Sequence, residues 1–376
     1  VTFEFSTATR IIFGAGSLAK LGSLAKPLGK KALLIGGSSP ERLSPVIKHL
    51  ENERIAYTTF GVSGEPSINT ILEGLDKAKS WTCDMVISIG GGSVLDAGKA
   101  ISALLTNPGD PLDYLEVVGR GHPLQQQAAP LVAIPTTSGT GSEVTQNAVL
   151  SVPEKQVKVS MRSPLMLPKI ALIDPELTYD LPKAITAYTG MDALTQCLEP
   201  FVSQAANPLT DGCCREGLKR TARSLNIACE HPHDKQARED MALASLMGGL
   251  ALANAKLGAV HGFAGPLGGM VSAPHGAICA RLLPLVVEAN CQALQHLEKY
   301  QQAATIMLGQ HATIEKMIAW LKQLSEDLGI PALSHWGLTE AMIPEVVSKA
   351  KNASSMKGNP VVLRDEELNA ILKRSL

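Results

Sequence analysis

Residues 84–105 read DMVISIGGGSVLDAGKAISALL, and the order of textures in this stretch decides the fold. A continuous apolar run, MVISI, gives way to Gly90-Gly91-Gly92-Ser93 and then to an Ala/Leu-rich helical pattern. An apolar run closed by glycine suits a parallel strand covered on both faces. Glycines at a strand-to-helix turn let an anionic group approach the backbone closely. The helix start adds unpaired N–H groups and the positive end of the helix dipole. Gly91, Gly92 and Ser93 are therefore candidates for holding a pyrophosphate, although a triple glycine alone also serves as a tight structural turn.

Working upstream, KALLIGG (31–37), SPVIKHLENE (44–53), IAYTTFGV (55–62) and INTILEGLDKAKS (68–80) extend the pattern to β-α-β-α-β. Downstream, APLVAIPTTSGTGSE (129–143) reads as a strand opening into a loop of hydroxyls and glycines. Ligands of open α/β sheets bind at the carboxyl ends of the strands, where both glycine-containing loops belong. After Leu181 the texture changes to long helical patterns, as in AYTGMDALTQCLEPFV (187–202) and ATIEKMIAWLKQLSEDLG (312–329). The expected architecture is an α/β Rossmann-like N-terminal domain over residues 1–180 and an all-α domain over 181–376, with a cleft between them.

Composition narrows the function. Among 376 residues, 34 basic and 35 acidic side chains leave a net charge of -1 without a basic run, and aromatics make up 4%. Nucleic acid and an anionic membrane are poor partners for such a chain. The seven cysteines (83, 197, 213, 214, 229, 279 and 291) form no CxxC pair. Neither a zinc ribbon nor a disulfide framework is indicated, and reduced thiols suit a cytoplasmic protein. MALASLMGGLALANA (241–255) is rich in small residues and reads as a buried helix rather than a membrane span. The opening VTFEFSTATRIIFG lacks the layout of a signal peptide.

A second constellation lies in the helical half. Asp192 and Gln196 are four apart in a helical pattern and so share a face. His261 and His275 sit in LGAVHGFAGPLGGMVSAPHG (257–276), a segment without charged side chains other than theirs. A helical aspartate with two imidazoles makes an oxygen/nitrogen ligand set for Fe(II) or Zn(II), without a soft thiolate. Each residue taken singly also has a structural reading, as a helix carboxylate or a satisfied core histidine.

Together, RIIFGAGSLAKLG, GGGSVLDAGKA, PTTSGTGSEVT, KVSMRSPLMLPKIALIDPELT, GMDALTQCLEP, NPLTDG and LGAVHGFAGPLGG…PHG occur in one order along the chain. This series resembles the iron-containing (group III) alcohol dehydrogenase family of the dehydroquinate synthase-like superfamily. The resemblance implies NAD(P) and a divalent metal, Fe(II) first and Zn(II) second, serving reversible hydride transfer to and from a small alcohol or aldehyde. It implies that Gly91, Gly92 and Ser93 hold the pyrophosphate, that Thr136, Thr137 and Thr140 line the ribose and nicotinamide, and that Lys158 contacts the cofactor. It also makes Asp192, His261 and His275 the catalytic metal ligands, in a homodimer or larger assembly.

The chain departs from the family pattern at three places. Gln196 stands where the family has a ligating histidine, and Gly265 where it has a further histidine. Either the metal is retained on an altered set that includes Gln196, or the enzyme is metal-independent like the related maleylacetate reductases. Gly37 stands where many NAD-preferring members carry an aspartate, so NADP is tolerated, with Ser38, Ser39 or Arg42 as donors to its 2′-phosphate. A dehydroquinate synthase-like lyase and a nucleotide-binding protein without catalysis stay open as alternatives.

Overall fold

The computed structural model describes residues 2–155 and 157–376. The chain divides into two units. One comprises Ser6–Thr137 and Ser142–Thr178; the other comprises the N-terminal residues through Phe5, Ser138–Gly141 and Tyr179–Leu376.

The first unit is α/β. In chain order it contains β1 (Arg10–Phe13), α1 (Leu21–Ala25), β2 (Lys31–Gly36), α2 (Ser44–Asn52), β3 (Ala56–Gly61) and α3 (Ile68–Ser80). Then come β4 (Met85–Gly90), α4 (Gly92–Thr106), α5 (Pro111–Tyr114), β5 (Leu131–Pro135), β6 (Asn147–Val152), β7 (Val157–Arg162) and β8 (Ile170–Ile173). Six strands form one parallel sheet in the order β1-β8-β5-β4-β2-β3, while β6 and β7 pair separately as an antiparallel ribbon.

Alternate strand residues point to opposite faces, and both faces are apolar. Leu33, Ile35, Val86 and Leu131 pack with Ile71 and Leu75 of α3 and Ile101 of α4. Ala32, Leu34, Ile87 and Val132 pack with Leu21 of α1 and Val46 and Leu50 of α2. This explains the unbroken apolar runs: a strand buried on both sides has no polar face to show. Gly98 lets α4 approach the sheet, since a Cβ there would fall 1.8 Å from the Ser88 hydroxyl.

The strand order sets the binding edge. The chain leaves β2 toward β3 on one side, then returns past β2 to β4 and continues to β5. Connections from β2 and β4 thus run in opposite directions, and their carboxyl ends flank the topological switch point.

The second unit is helical: α6 (Lys183–Val202), α7 (Pro208–Glu230), α8 (Lys235–Ala255), α9 (Ala259–Met270), α10 (His275–Ala293), α11 (Glu298–Leu308), α12 (Ile314–Asp327), α13 (Ile343–Asn352) and α14 (Asp365–Arg374). α6 is the central helix, packed by α7, α8 and α10 and buried on nearly every side from Thr186 onward. Among the described residues no single helix is long and apolar enough to cross a membrane; α8 and α9 together pass by composition but are bent by 99°. The small-residue stretch at 241–255 forms most of α8 and is largely buried.

Gly276, in the first turn of α10, is where that helix meets α6. A Cβ there would lie 1.9 Å from the Tyr188 carbonyl oxygen, a backbone atom that cannot swing away. Gly276→Ala is therefore expected to push α10 off α6 and destabilise the protein by about 1–3 kcal/mol. Denaturant unfolding checks it, and an unchanged midpoint would mean that the two helices separate at no cost.

Candidate metal centre and dinucleotide crevice

On α6, Asp192, Thr195, Gln196 and Glu199 are all buried, within a stretch (190–202) otherwise made of apolar residues. Their spacing of three, four and seven places them along one stripe. Thr195 turns back and donates to the Met191 carbonyl, leaving the other three for tertiary partners.

Asp192 meets two histidines. Its Oδ1 lies 3.2 Å from His261 Nε2 and 3.8 Å from His275 Nε2. The two rings are 5.4 Å apart, centroid to centroid. His261 comes from the first turn of α9 and is 7% exposed, whereas His275 opens α10 with its side chain 46% exposed. Cys279, four residues after His275 and fully buried, brings its Sγ to 3.9 Å from His261 Nε2. One ligand atom from each of Asp192, His261, His275 and Cys279 lies within 4.8 Å of the others. A thiol, absent from the oxygen/nitrogen set read from the sequence, lies beside these donors.

Glu199 orients this cluster. Its Oε2 lies 2.7 Å from His261 Nδ1, and its Oε1 accepts the Val260 N–H at 2.7 Å. α9 begins after Gly258 with no side-chain cap of its own. Glu199 and Asn359, which accepts the Ala259 N–H, satisfy the first donors of that helix instead. With a carboxylate on Nδ1, that nitrogen carries the proton and Nε2 is left as a donor atom facing Asp192. Glu199→Gln keeps the shape but removes the anion, and is expected to weaken metal affinity by about 10–100-fold. Competition against a chromophoric chelator reads this directly; equal affinity would reduce Glu199 to a helix cap.

The electrostatics are those of a cation site. For Asp192, burial opposes ionisation, but His275 and His261 hold its carboxyl below the usual range. Burial likewise opposes the imidazolium forms. Cys279 and Asp192 nevertheless raise His275 to about 9, and the same two with Glu199 raise His261 well above its ordinary value. The cluster gathers positive charge against the cost of burial.

A divalent metal fits these residues. Ligand bonds of about 2.0–2.3 Å in a tetrahedral set place neighbouring ligand atoms roughly 3.3–3.8 Å apart. The spacings of 3.2, 3.8 and 3.9 Å around Asp192 and His261 are close to that range. Gln196 adds a further sign: it hydrogen-bonds to Asp192, while its buried Oε1 has no hydrogen-bond partner. An orphaned buried acceptor is costly unless a cation or a water satisfies it.

In the α/β unit the residues expected to hold a dinucleotide gather at the carboxyl edge of the sheet. Gly37 follows β2, Gly91, Gly92 and Ser93 follow or open from β4 into α4, and Thr136 and Thr137 follow β5. A Cβ on Gly91 would touch the Thr137 side chain at 3.5 Å, and the Thr136 N–H donates to the Gly90 carbonyl. α3, α7 and α8 have side-chain caps from Ser67, Asn207 and Asp234, but α4 starts at Gly91 with none. Such an open helix start suits a phosphate. Lys158 lies on β7 with its Nζ 3.3 Å from Glu65, in the loop after β3. Thr140 falls in the four-residue stretch assigned to the helical unit, where Gly141 meets the Gly249 backbone.

The α/β unit also contains a buried anchor that sequence reading passed over. Asp96 on α4 accepts from the Ser142 hydroxyl at 2.5 Å and the Val149 N–H at 2.9 Å. Fully buried Lys99 lies 3.0 Å from Asp96 and donates to Thr145. This pair ties the chain after the glycine-rich loop to α4.

Residues 8–175 match the iron-containing alcohol dehydrogenase family, and residues 186–376 match the C-terminal part of the Fe-containing alcohol dehydrogenase family. The chain is 35% identical to 1,3-propanediol dehydrogenase of Klebsiella pneumoniae, over 99% of this chain and 98% of that one. It is 31% identical to the NAD-dependent methanol dehydrogenase of Bacillus methanolicus, over 97% of each. A solved 1,3-propanediol oxidoreductase superposes with a TM-score of 0.95 at 34% identity, covering 100% of both chains. With a parallel α/β unit, a helical unit and a carboxylate–imidazole cluster in place, the chain belongs to the iron-containing alcohol dehydrogenase family, oxidoreductases that act on CH–OH groups.

Proposed function

We propose that this chain catalyses reversible hydride transfer between NAD(P) and a small alcohol or its carbonyl partner, with Asp192, His261 and His275 holding a divalent cation, Fe(II) or Zn(II). The observation that carries the reading is the convergence of a buried carboxylate and two imidazoles from α6, α9 and α10. When bound, the cation supplies Lewis acidity to the substrate oxygen, and NAD(P) carries the hydride. Asp192 contributes negative charge, and Glu199 fixes the tautomer of His261. Gly276 seats α10 so that His275 reaches the same point.

Gly265 stands where the family pattern has a histidine. Nothing lies within 4 Å of where a Cβ on Gly265 would stand. No imidazole there can relay the substrate proton, which passes to water or a ribose hydroxyl. The space suits a substrate bulkier or more polar than ethanol.

Cofactor choice follows the residue after β2. Gly37 has open space around its Cβ position, so the missing carboxylate leaves room for a 2′-phosphate, with Ser38, Ser39 or Arg42 as donors. Gly37→Asp is expected to lower kcat/KM with NADPH by about 10–100-fold relative to NADH, the worth of a hydrogen bond to a charged group. An unchanged ratio would place 2′-phosphate recognition elsewhere.

The test of the whole reading is elemental analysis of purified protein, with turnover of a carbonyl panel followed by nicotinamide absorbance. Consumption of reduced cofactor that stops on chelation and returns with Fe(II) or Zn(II) supports it. Undiminished turnover by metal-free protein would favour the metal-independent alternative, and no net consumption would point to a lyase.

A further inference from the structure

We infer that Cys279 is a ligand of the metal, so that this site is an Asp-His-His-Cys set built for Zn(II) rather than Fe(II). The inference rests on the metal reading above and deepens it.

Position comes first. His275 and Cys279 are separated by one helical turn of α10, so their side chains leave the same face. The Cys279 sulfur is buried, 3.9 Å from His261 Nε2, and belongs to the same compact group of donor atoms as Asp192 and His275. The other buried cysteines of this unit, Cys197, Cys214 and Cys229, belong to no such group among the described residues. Cys279 is thus set apart by its surroundings.

Charge comes second. Asp192 brings one negative charge, and His261 and His275 ligate as neutral imidazoles. Gln196 can add only a neutral amide oxygen. Glu199 acts on the cation only through His261, so a dication held by Asp192 and two neutral imidazoles keeps a positive charge on its own donor set. Deprotonated Cys279 supplies the second negative charge, and the thiol proton leaves to solvent as the metal enters. With Gln196 standing where the family has a ligating histidine, a thiolate restores a four-donor set.

Selectivity follows from softness. Thiolate favours Zn(II) over a hard or borderline ferrous ion, and Zn(II), having no geometric preference from its d electrons, would suit this mixed donor set.

The experiment uses the full chain, stripped by chelator and titrated with Co(II). The wild-type protein should bind one Co(II) per chain and show near-ultraviolet thiolate-to-cobalt charge-transfer absorption. Cys279→Ser, nearly isosteric, and Cys279→Ala should retain the weak visible bands of bound cobalt but lose that absorption. In chelator competition both should bind Zn(II) at least about 100-fold more weakly, beyond the 10–100-fold typical of outer-shell changes, with a smaller loss for Fe(II). Stoichiometric cobalt without charge transfer, abolished by His261→Ala but untouched by Cys279→Ser, would overturn the thiolate and leave the metal reading standing. Failure to bind cobalt, or binding indifferent to Asp192, His261 and His275, would overturn both.

Discussion

Asp192→Asn is expected to lower kcat/KM by about 10³-fold and to strip most of the metal. Asn keeps the size and one oxygen of the carboxylate, so packing on α6 is preserved while the charge is lost. That charge is shared: the same Oδ1 faces His261 Nε2 at 3.2 Å and His275 Nε2 at 3.8 Å. Lewis-acid stabilisation of the transition state is worth several kcal/mol, and about 4 kcal/mol corresponds to roughly 10³ in rate. Gln196 cannot compensate, because it is neutral and already leans on Asp192 through a hydrogen bond. Metal content per chain, steady-state kinetics and circular dichroism on the variant separate the effects. Native spectra with little metal and little turnover agree with the assignment. Full metal occupancy with unchanged turnover would remove Asp192 from the site.

What the sequence could reveal depended on how local each signal is. β2, β3 and β4, with α2, α3 and α4 around them, are legible because each apolar run or helical period is complete within a short window. β1 and β8 have four residues each and pair with one another across about 160 residues, Arg10 against Ile170, so no local pattern announces them. The β6–β7 ribbon does alternate in burial, but two short strands make a weak signal in isolation.

The site divides in the same way. Asp192 and Gln196 emerge from a spacing of four, and extending that reasoning by one turn reaches Glu199, a carboxylate in an apolar helix. The same spacing joins His275 to Cys279. Cys279 has no metal-site motif in the sequence: a CxxC pair marks a zinc ribbon, and a single helix-borne thiol does not follow that pattern. Seating α10 through Gly276 was beyond reach: only the packed helices show that a methyl group would strike the Tyr188 carbonyl.

Apparent Zn(II) affinity should climb steeply with pH, by at least about 10²-fold per unit between pH 6 and 8. An imidazolium cannot ligate, so each histidine protonated in the metal-free protein must lose its proton when the cation binds. Burial works against the charged rings. Cys279 and Asp192 nonetheless raise His275 to about 9, and His261 is raised well above its ordinary value with Glu199 as an added cause. Where both imidazoles are charged they displace two protons, each contributing about one decade per pH unit, and the Cys279 thiol adds its own proton on ligation. With ordinary histidines the slope would flatten above about pH 6.5. Stability of the metal-free protein should move the other way. A raised folded-state value favours the fold fully below the unfolded value near 6.5, and that contribution fades as pH rises through about 9. Chelator competition at three pH values, paired with thermal unfolding of the stripped protein, measures both trends. Affinity that is flat from pH 6 to 8 would mean both imidazoles are already neutral, and the cluster would then not be the proton-loaded cation site described above.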